Sequence, residues 1–127
     1  MLSNARVGAA IPCQDFDRAK AWYKEKLGLS PNEENPGGAY YNCGEGTQFF
    51  LFPSMGKASG AHTQVGFTVD DVEAEVAELT KMGVTFEQYD YPELKTDANG
   101  IADIGDSKGG WFFDSEGNML AVFERVT

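Results

Sequence analysis

The segment FFDSEGNMLAVF, residues 112–123, places apolar residues on both sides of a short polar turn that contains Gly117. Apolar stretches on either side of such a turn are typical of a β-hairpin. Strand alternation predicts that Leu120 and Val122 face the helices, while Ala121 and its next-nearest neighbours face the opposite side. The closing hairpin is therefore expected to contribute one strand face to an open surface.

The first half of the chain predicts a strand, a helix and then two or three further strands. Residues 6–12 alternate as a strand does, and the following helix is expected to be capped by Asp15 or Asp17 and to end at Gly28. The turn-rich segment 30–38 comes next. Residues 39–43 and 47–53 then predict a hairpin across the sequence GEG.

The same order begins again after a connector of small residues. Residues 64–69 alternate as a strand, and Asp70 or Asp71 is expected to cap a helix that ends at Gly83. Residues 84–89 predict another strand, and residues 95–110 predict a long polar loop before the closing hairpin. The two helices, QDFDRAKAWYKEKLGL and DDVEAEVAELTKMGV, match in order, which indicates an internal duplication.

Length and composition predict one domain built from these two halves. The chain has 127 residues, of which 42% are hydrophobic, which suits a single core. We assign module one to about residues 1–54, a connector to about 55–62, and module two to about 63–127. Each half alone has a small core and needs the other to bury its sheet face.

These features together resemble the vicinal oxygen chelate superfamily, which includes glyoxalase I, extradiol dioxygenases and bleomycin-resistance proteins. The resemblance is carried by DFDRAKAWYKEKLGL, by FTVDDVEAEVAELTKMGV and by the final WFFDSEGNMLAVFE, and it covers nearly the whole chain. It implies an α+β fold in which two tandem βαβββ modules form a curled, cup-shaped mixed sheet, the glyoxalase/bleomycin-resistance fold.

Active members of that superfamily usually hold a divalent metal in the cup through His and Glu side chains. The resemblance places the four ligand positions on residues that are neither His nor carboxylate: Gly8, Leu51, Gln64 and Ala121. The only histidine, His62, rules out a site with two imidazole ligands in one chain. We therefore predict no metal and no cofactor.

An apolar, aromatic cup is expected instead. Small inward residues at facing positions leave a hollow, and aromatic side chains are expected to line part of it. The alternative is that the small residues permit tight sheet closure and the aromatics form ordinary core. The predicted ligand-binding residues are Gly8, Tyr40, Tyr41, Phe49, Leu51, Gln64, Tyr89, Trp111, Phe113 and Ala121.

The acidic charge of the chain limits the classes of partner that it can bind. The net charge is -10, and the acidic excess lies in residues 64–127. This charge disfavours nucleic acid and anionic membranes, and it suits a cationic ligand as well as a merely soluble surface. Interleaved aromatic and acidic residues at 89–91 are expected to form a rim beside the cup or an ordinary edge strand. We expect a cytoplasmic homodimer, because the segment at residues 1–10 lacks the pattern of a secretory signal and because the resemblance implies dimers.

Three functions fit these observations. The first is metal-independent binding of a small molecule, such as sequestration of a cationic aromatic compound or antibiotic as bleomycin-resistance proteins perform it. The second is a glyoxalase- or dioxygenase-like lyase or isomerase with an atypical or absent metal site. Such an enzyme would use His62, Gln64 and Glu124, or a tyrosine acid or base. The third is an interaction domain with a filled cup.

Overall fold

The computed structural model describes residues 1–125, so the last two residues of the predicted second module lie outside the described residues. The first module consists of β1 (Ala9–Cys13), α1 (Phe16–Leu27), β2 (Glu33–Asn35), β3 (Gly38–Asn42) and β4 (Gln48–Pro53). These strands form a four-stranded sheet in the order β1-β4-β3-β2. The β1–β4 pair is parallel and the others are antiparallel.

The second module repeats this order with one added hairpin. It consists of β5 (Thr63–Thr68), α2 (Val72–Lys81), β6 (Asp90–Tyr91), β7 (Leu94–Lys95), β8 (Ala102–Asp103), β9 (Ser107–Phe113) and β10 (Met119–Arg125). Its main sheet has the order β5-β10-β9-β8, and β6 and β7 form a separate two-stranded sheet. The predicted α+β fold of two βαβββ modules is confirmed.

Local signals in the sequence explain both helices. The Asp15 carboxylate accepts a hydrogen bond from the backbone N–H of Arg18, and the Asp71 carboxylate accepts one from Ala74. Each aspartate thus satisfies an amide that the first helical turn leaves without a partner. Helix α1 ends at Gly28, whose φ of 69° is the left-handed conformation that glycine adopts without a Cβ clash.

The helices cover one face of the two sheets. Tyr23 of α1 packs against Phe49 of the first sheet, and Trp22 stacks on Phe112 of the second, so α1 bridges both modules. Helix α2 packs on β9 and β10. We call the other face of both sheets the open face. No helix within residues 1–125 has the length and apolar character needed to span a membrane.

Two predictions for the second module are wrong. Residues 84–89 do not form a strand, because within residues 1–125 one backbone hydrogen bond, from Glu87 N–H to the Trp111 carbonyl, joins them to the sheet. Their apolar alternation comes from Val84 and Phe86, which pack into the core. The segment 95–110 is not one long loop either, since it contains β8 and the start of β9. Its strand residues include Gly109 and Gly110, which give no apolar signal.

Candidate functional site

The final hairpin divides its side chains between the two faces as predicted. Leu120 and Val122 are buried in the core, and Ala121 lies between them on the open face, where it is paired with Trp111 of β9. Residues directly opposite on antiparallel strands share a face, so Trp111 and Phe113 belong to the open face too. The predicted orientation of this strand is confirmed.

The turn of the same hairpin joins the two modules through a buried carboxylate. Asp114 accepts hydrogen bonds from the Tyr23 hydroxyl at 2.7 Å and from the Asn118 side-chain amide at 2.9 Å. That amide also donates to the Pro12 carbonyl at 2.8 Å. Because Tyr23 and Pro12 belong to module one, the turn holds the end of β1 and α1 against module two.

Glu116 of this turn makes a second link to module one. Its carboxylate accepts hydrogen bonds from the backbone N–H groups of Gln14 and Asp15, which precede α1, and forms an ion pair with Arg18 at 2.8 Å. The hydrogen-bonded Arg18 guanidinium and these backbone donors lower the pKa of Glu116 to about 2. The ionised carboxylate therefore stabilises the folded chain.

We expect the Glu116→Gln variant to lose about 1–2 kcal/mol of unfolding free energy at pH 7, an estimate reduced because the Arg18 side chain is 55% exposed. A carboxyl whose folded pKa lies below its ordinary value of 4.5 stabilises above pH 4.5 and loses that contribution as pH falls toward 2. Urea unfolding from pH 7 to pH 2.5 should show the two proteins converging. The exposed Glu25→Gln control should match the native chain throughout, and a pH-independent deficit in Glu116→Gln would contradict the assignment.

The two sheets meet along β1 and β5, and Gln64 bridges them. The side-chain amide Nε2 of Gln64 donates a hydrogen bond to the Ala10 carbonyl at 3.2 Å. Gln64 is the extra residue at a register shift in β5, between Thr63, which pairs with Met119, and Val65, which pairs with the buried Leu120. The predicted site residue Gln64 thus stands at the junction of the modules.

A shallow depression of about 190 Å³ lies beside this junction in module one. Its lining consists of the predicted residues Gly8, Tyr40 and Phe49, together with Ala9, Ala10, Gln48 and Phe50. A Cβ atom added at Gly8 would meet nothing within 4 Å. Gly8 and Ala10 are both exposed, so these small residues leave the surface of module one open here.

The corresponding space in module two is filled. A Cβ added at Gly66 would come within 2.7 Å of the Phe123 ring, so that ring lies against the Gly66 backbone. The indole N–H of Trp111 donates to the Thr63 hydroxyl at 3.2 Å, which places the indole across β10 near Ala121. Small residues in this module permit aromatic packing, and the expectation of a hollow there is wrong.

Three predicted cup residues lie on the other face. Tyr41 pairs with Phe49 and Ala39 pairs with Leu51, and all of them are buried beneath α1 in the core. The sequence QFFLF has aromatic or aliphatic residues at both strand parities, so it does not reveal which set faces the helices. The placement of Tyr41 and Leu51 in the cup is corrected, and the ring of Phe49 lies in the core although Phe49 also lines the depression.

Burial makes Tyr41 unsuitable as an acid or base. Its hydroxyl has no hydrogen-bond partner among the described residues, and burial raises its pKa to about 12. The buried thiol of Cys13 likewise has a pKa raised to about 11 by burial, far from the range of a nucleophilic cysteine. Neither group is suited to proton transfer or nucleophilic attack near neutral pH.

Residues on the open face that sequence reasoning missed are Phe50, Phe52 and Glu33. Phe50 pairs with Tyr40, and their ring centroids are 4.5 Å apart. Phe50 and Phe52 stack with centroids 6.1 Å apart and planes 9° from parallel. Glu33 pairs with Tyr40 across β2 and β3, so it shares the open face at the sheet edge. The weak strand signal of β2 hid this carboxylate.

The predicted rim residue Tyr89 packs against the open face of module two. Its ring meets Trp111 edge to face with centroids 5.8 Å apart, and Tyr91 lies beside it at 6.2 Å. The β6–β7 hairpin carries Asp90, whose carboxylate is 3.7 Å from Lys95. This rim therefore combines aromatic surface with a charge that is already paired.

The donor set does not fit the metal that the fold implies. Gly8 and Ala121 offer no side-chain donor, Leu51 lies in the core, and its strand neighbours on the open face are phenylalanines. His62 is exposed near Ser59. Glu124 accepts a hydrogen bond from the first amide of α2, away from the open face. Within residues 1–125 no three His, Cys, Asp or Glu side chains are placed to share a metal ion.

Comparisons with known proteins agree with this fold. Residues 7–122 match the model of the Glyoxalase/Bleomycin resistance protein/Dioxygenase superfamily. The structure of UcmS2 is similar at a TM-score of 0.74 and 20% identity, with 98% of this chain and 99% of that chain covered. A glyoxalase family protein from Enterococcus faecalis gives a TM-score of 0.70 at 23% identity, with 98% and 100% covered. A glyoxalase / bleomycin resistance protein from Catenulispora acidiphila gives 0.64 at 22%, with 94% and 96% covered. No curated protein matches significantly.

Proposed function

Because the chain belongs to the Glyoxalase/Bleomycin resistance protein/Dioxygenase superfamily, we propose that it binds a planar aromatic cation on its open face without altering it. The observation that carries this proposal is the depression at Gly8 and Ala10, bordered by aromatic rings. Concave sites lined mainly by apolar and aromatic groups are typical of small-molecule binding. Sequestration of a harmful compound is the use that we assign to this binding.

The aromatic row of module one suits a flat ligand. Tyr40, Phe50 and Phe52 follow one another with centroid separations of 4.5 and 6.1 Å, and all three are partly exposed. Aromatic rings attract one another in offset or edge-to-face arrangements. Each such pair contributes about 0.5–1.5 kcal/mol in addition to the free energy gained by burying its surface area. A fused-ring ligand over the depression would gain such contacts.

The electrostatics of the same region favour a positive charge. Glu33 lies on the open face opposite Tyr40, and the chain carries a net charge of -10. A cation is attracted to an aromatic ring face and to a nearby carboxylate. The electrostatic field of the negatively charged protein also raises the concentration of cations near its surface. We therefore assign the ligand a positive charge as well as a planar ring system.

Binding without reaction follows from the groups around the depression. The described residues that line it are Gly8, Ala9, Ala10, Tyr40, Gln48, Phe49 and Phe50, and they include no carboxylate, imidazole or amine. General acid–base catalysis most often uses such a group within hydrogen-bonding distance of the reacting proton, and the Tyr40 phenol is the one titratable side chain among these lining residues. The site is therefore assigned to binding.

A second copy of the chain would complete this site. At about 190 Å³ the depression is smaller than the roughly 300–1,000 Å³ of typical ligand pockets. Cover from a partner would add walls and exclude water from the ligand, and we propose a homodimer on this ground. Light scattering after size-exclusion chromatography should give a mass of twice 13.8 kDa. A monomer at micromolar concentration with or without ligand would contradict the homodimer.

A thermal-shift panel tests the proposed function. Methylene blue represents a planar aromatic cation, anthraquinone-2-sulfonate a planar anion, and Zn²⁺, Ni²⁺ and Mn²⁺ the metals of the superfamily. A ligand at 100 times its dissociation constant stabilises the folded chain by about 2.7 kcal/mol. We expect a higher melting temperature with methylene blue alone. A rise with a divalent metal, or none with the cation, would contradict the proposal.

The Glu33→Gln variant should bind methylene blue about two- to fivefold more weakly, because exposed charge and cation–π interactions each contribute about 0.5–1 kcal/mol. Glu34→Gln is the matched control: the adjacent Glu34 faces the other side, where it pairs with Lys20 at 2.9 Å. Isothermal titration calorimetry at low and high salt measures both. Equal losses in the two variants would show that Glu33 has no special role in binding.

A further inference from the structure

A second concave surface lies where the first turn of α2 faces β8 and β9, at the edge of the second sheet. We call it the charged groove. Its volume of about 450 Å³ lies within the roughly 300–1,000 Å³ of typical ligand pockets. Both signs of charge and one buried aliphatic side chain border this space. The lining residues are Glu73, Lys95, Thr96, Asp97, Ile101, Asp103 and Lys108.

The ammonium group of Lys108 is positioned in this groove but keeps its hydrogen-bonding capacity. Its Nζ atom is 3.8 Å from a carboxylate oxygen of Glu73 and 4.0 Å from one of Glu124, distances too long for hydrogen bonds. It donates no hydrogen bond within residues 1–125, although the side chain is only 30% exposed. Strand pairing places Lys108 between Asp103 of β8 and Glu124 of β10. The three donors of the ammonium are therefore available to a ligand.

The turn at residues 97–101 fixes a carboxylate in the same groove. The Oδ1 atom of Asp97 accepts hydrogen bonds from the backbone N–H groups of Asn99 at 2.8 Å and Ile101 at 3.0 Å. Its Oδ2 atom accepts none from residues 1–125 and remains open to a cation. A carboxylate held in this way loses little conformational entropy when a ligand binds. Ile101 is 7% exposed and supplies apolar surface beside it.

We propose that the charged groove binds a basic α-amino acid, at a site separate from the depression on the open face. The ammonium and carboxylate of the ligand's head group are neighbours, and they meet Glu73 and Lys108, which are neighbours of opposite charge. The ligand's methylene groups cover Ile101, and its terminal cation meets Asp97. The lining carries three carboxylates against two ammonium groups, a net charge of -1, which a ligand of charge +1 balances. Such electrostatic complementarity favours this ligand class over neutral and acidic amino acids.

Three related compounds separate the parts of this recognition. Arginine carries the α-amino acid head group and a guanidinium, agmatine lacks the carboxylate, and citrulline lacks the charge on the side chain. Titrations followed in ¹H–¹⁵N spectra of the labelled chain give each dissociation constant. Arginine should shift the amides of Thr96, Asp97 and Ile101 saturably. Citrulline should bind about two- to fivefold more weakly, the range that one exposed ion pair supports.

The Lys108→Met variant tests the head-group contact. It should bind arginine about two- to fivefold more weakly and agmatine no more weakly than the native chain, because agmatine has no carboxylate for Lys108 to hold. Retained agmatine binding also shows that the variant is folded. Lys81→Met removes the same charge from an exposed lysine in the last turn of α2, outside the groove, and should not weaken arginine binding.

The Asp97→Asn variant tests the contact with the terminal cation. It keeps an oxygen for the turn but loses the charge, so arginine and agmatine should both bind about two- to fivefold more weakly while citrulline is unaffected. The exposed Asp106→Asn, outside the groove, should cause a smaller loss. The inference is overturned by no saturable shift with arginine, by parallel losses of arginine and agmatine in Lys108→Met, or by citrulline binding as tightly as arginine.

Discussion

The Asp114→Ala variant should lose about 3–5 kcal/mol of unfolding free energy. Asp114 is 6% exposed, and its carboxylate accepts four hydrogen bonds, from the Tyr23 hydroxyl, the Asn118 side chain and the backbone N–H groups of Glu116 and Asn118. Its removal leaves the fully buried Tyr23 hydroxyl without its partner. When one member of a buried polar network is removed, its former partners stay buried without a hydrogen bond, which costs their full desolvation free energy.

Asp103→Ala is the matched control for this prediction. Asp103 also lies beside a turn, where its carboxylate accepts a hydrogen bond from the Gly105 amide at 3.1 Å, but it is exposed. We expect a loss below about 1 kcal/mol there. Denaturant unfolding measures both variants. A loss in Asp114→Ala no greater than that of the control would mean that the hairpin turn does not hold the two modules together.

The Gly38→Ala variant should lose about 2–4 kcal/mol. Gly38 has a φ of 148°, a conformation that residues with a side chain rarely adopt, and an added Cβ would overlap the Leu51 carbonyl oxygen. The same Cβ would lie 2.8 Å from the Phe50 ring, whose position borders the depression. Both the backbone of β4 and the aromatic row would have to move, so this variant should also bind methylene blue more weakly.

Gly44→Ala serves as the control for the Gly38 substitution. A Cβ at Gly44 meets nothing within 4 Å, and its φ does not lie in the positive range. Alanine there should change stability by less than about 1 kcal/mol in either direction. Thermal and urea unfolding compare the two variants. A Gly38→Ala protein as stable as Gly44→Ala would show that the close approach of β3 and β4 is not a constraint.

Local and periodic signals predicted much of this fold. The aspartate caps, the glycine at the end of α1 and the repeated strand–helix order identified both modules, because each signal depends on residues close in sequence. The hairpin at 112–123 was also predictable with its correct faces. Its alternation is unambiguous because Leu120 and Val122 flank the small Ala121.

The remaining errors come from segments whose pattern is ambiguous. In β4 every residue from Phe49 to Phe52 is large and apolar, so the face of each depends on pairing with β1 and β3. In the segment 84–110, Val84 and Phe86 alternate because they pack into the core, although they form no strand. Strand β9 contains the adjacent Gly109 and Gly110, which carry no apolar side chain. Tertiary contacts determine the strand faces in the first case and the strand boundaries in the second, and the periodicity of the sequence does not predict these contacts.

The candidate site, like the fold, was predicted from the sequence only in part. Gly8 and Gln64 were predicted from the ligand positions that the resemblance implies; Gly8 lines the depression and Gln64 lies at the junction beside it. Glu33 and the hydrogen bond from Gln64 to Ala10 were not predicted, because each depends on which strands become neighbours. Pairing between β2 and β3 brings Glu33 to Tyr40, and contact between the two sheets brings Gln64 to Ala10.

Chemical-shift mapping with methylene blue tests the central claim most directly. In a ¹H–¹⁵N spectrum of the labelled chain, the dye should shift the amides around the depression, including those of Gly8, Ala10, Tyr40 and Phe50, and the side-chain amide of Gln64. The amides on the outer surface of α2 should not respond. Shifts confined to α2 or to the acidic loops, or no saturable shift at millimolar dye, would contradict a ligand site on the open face.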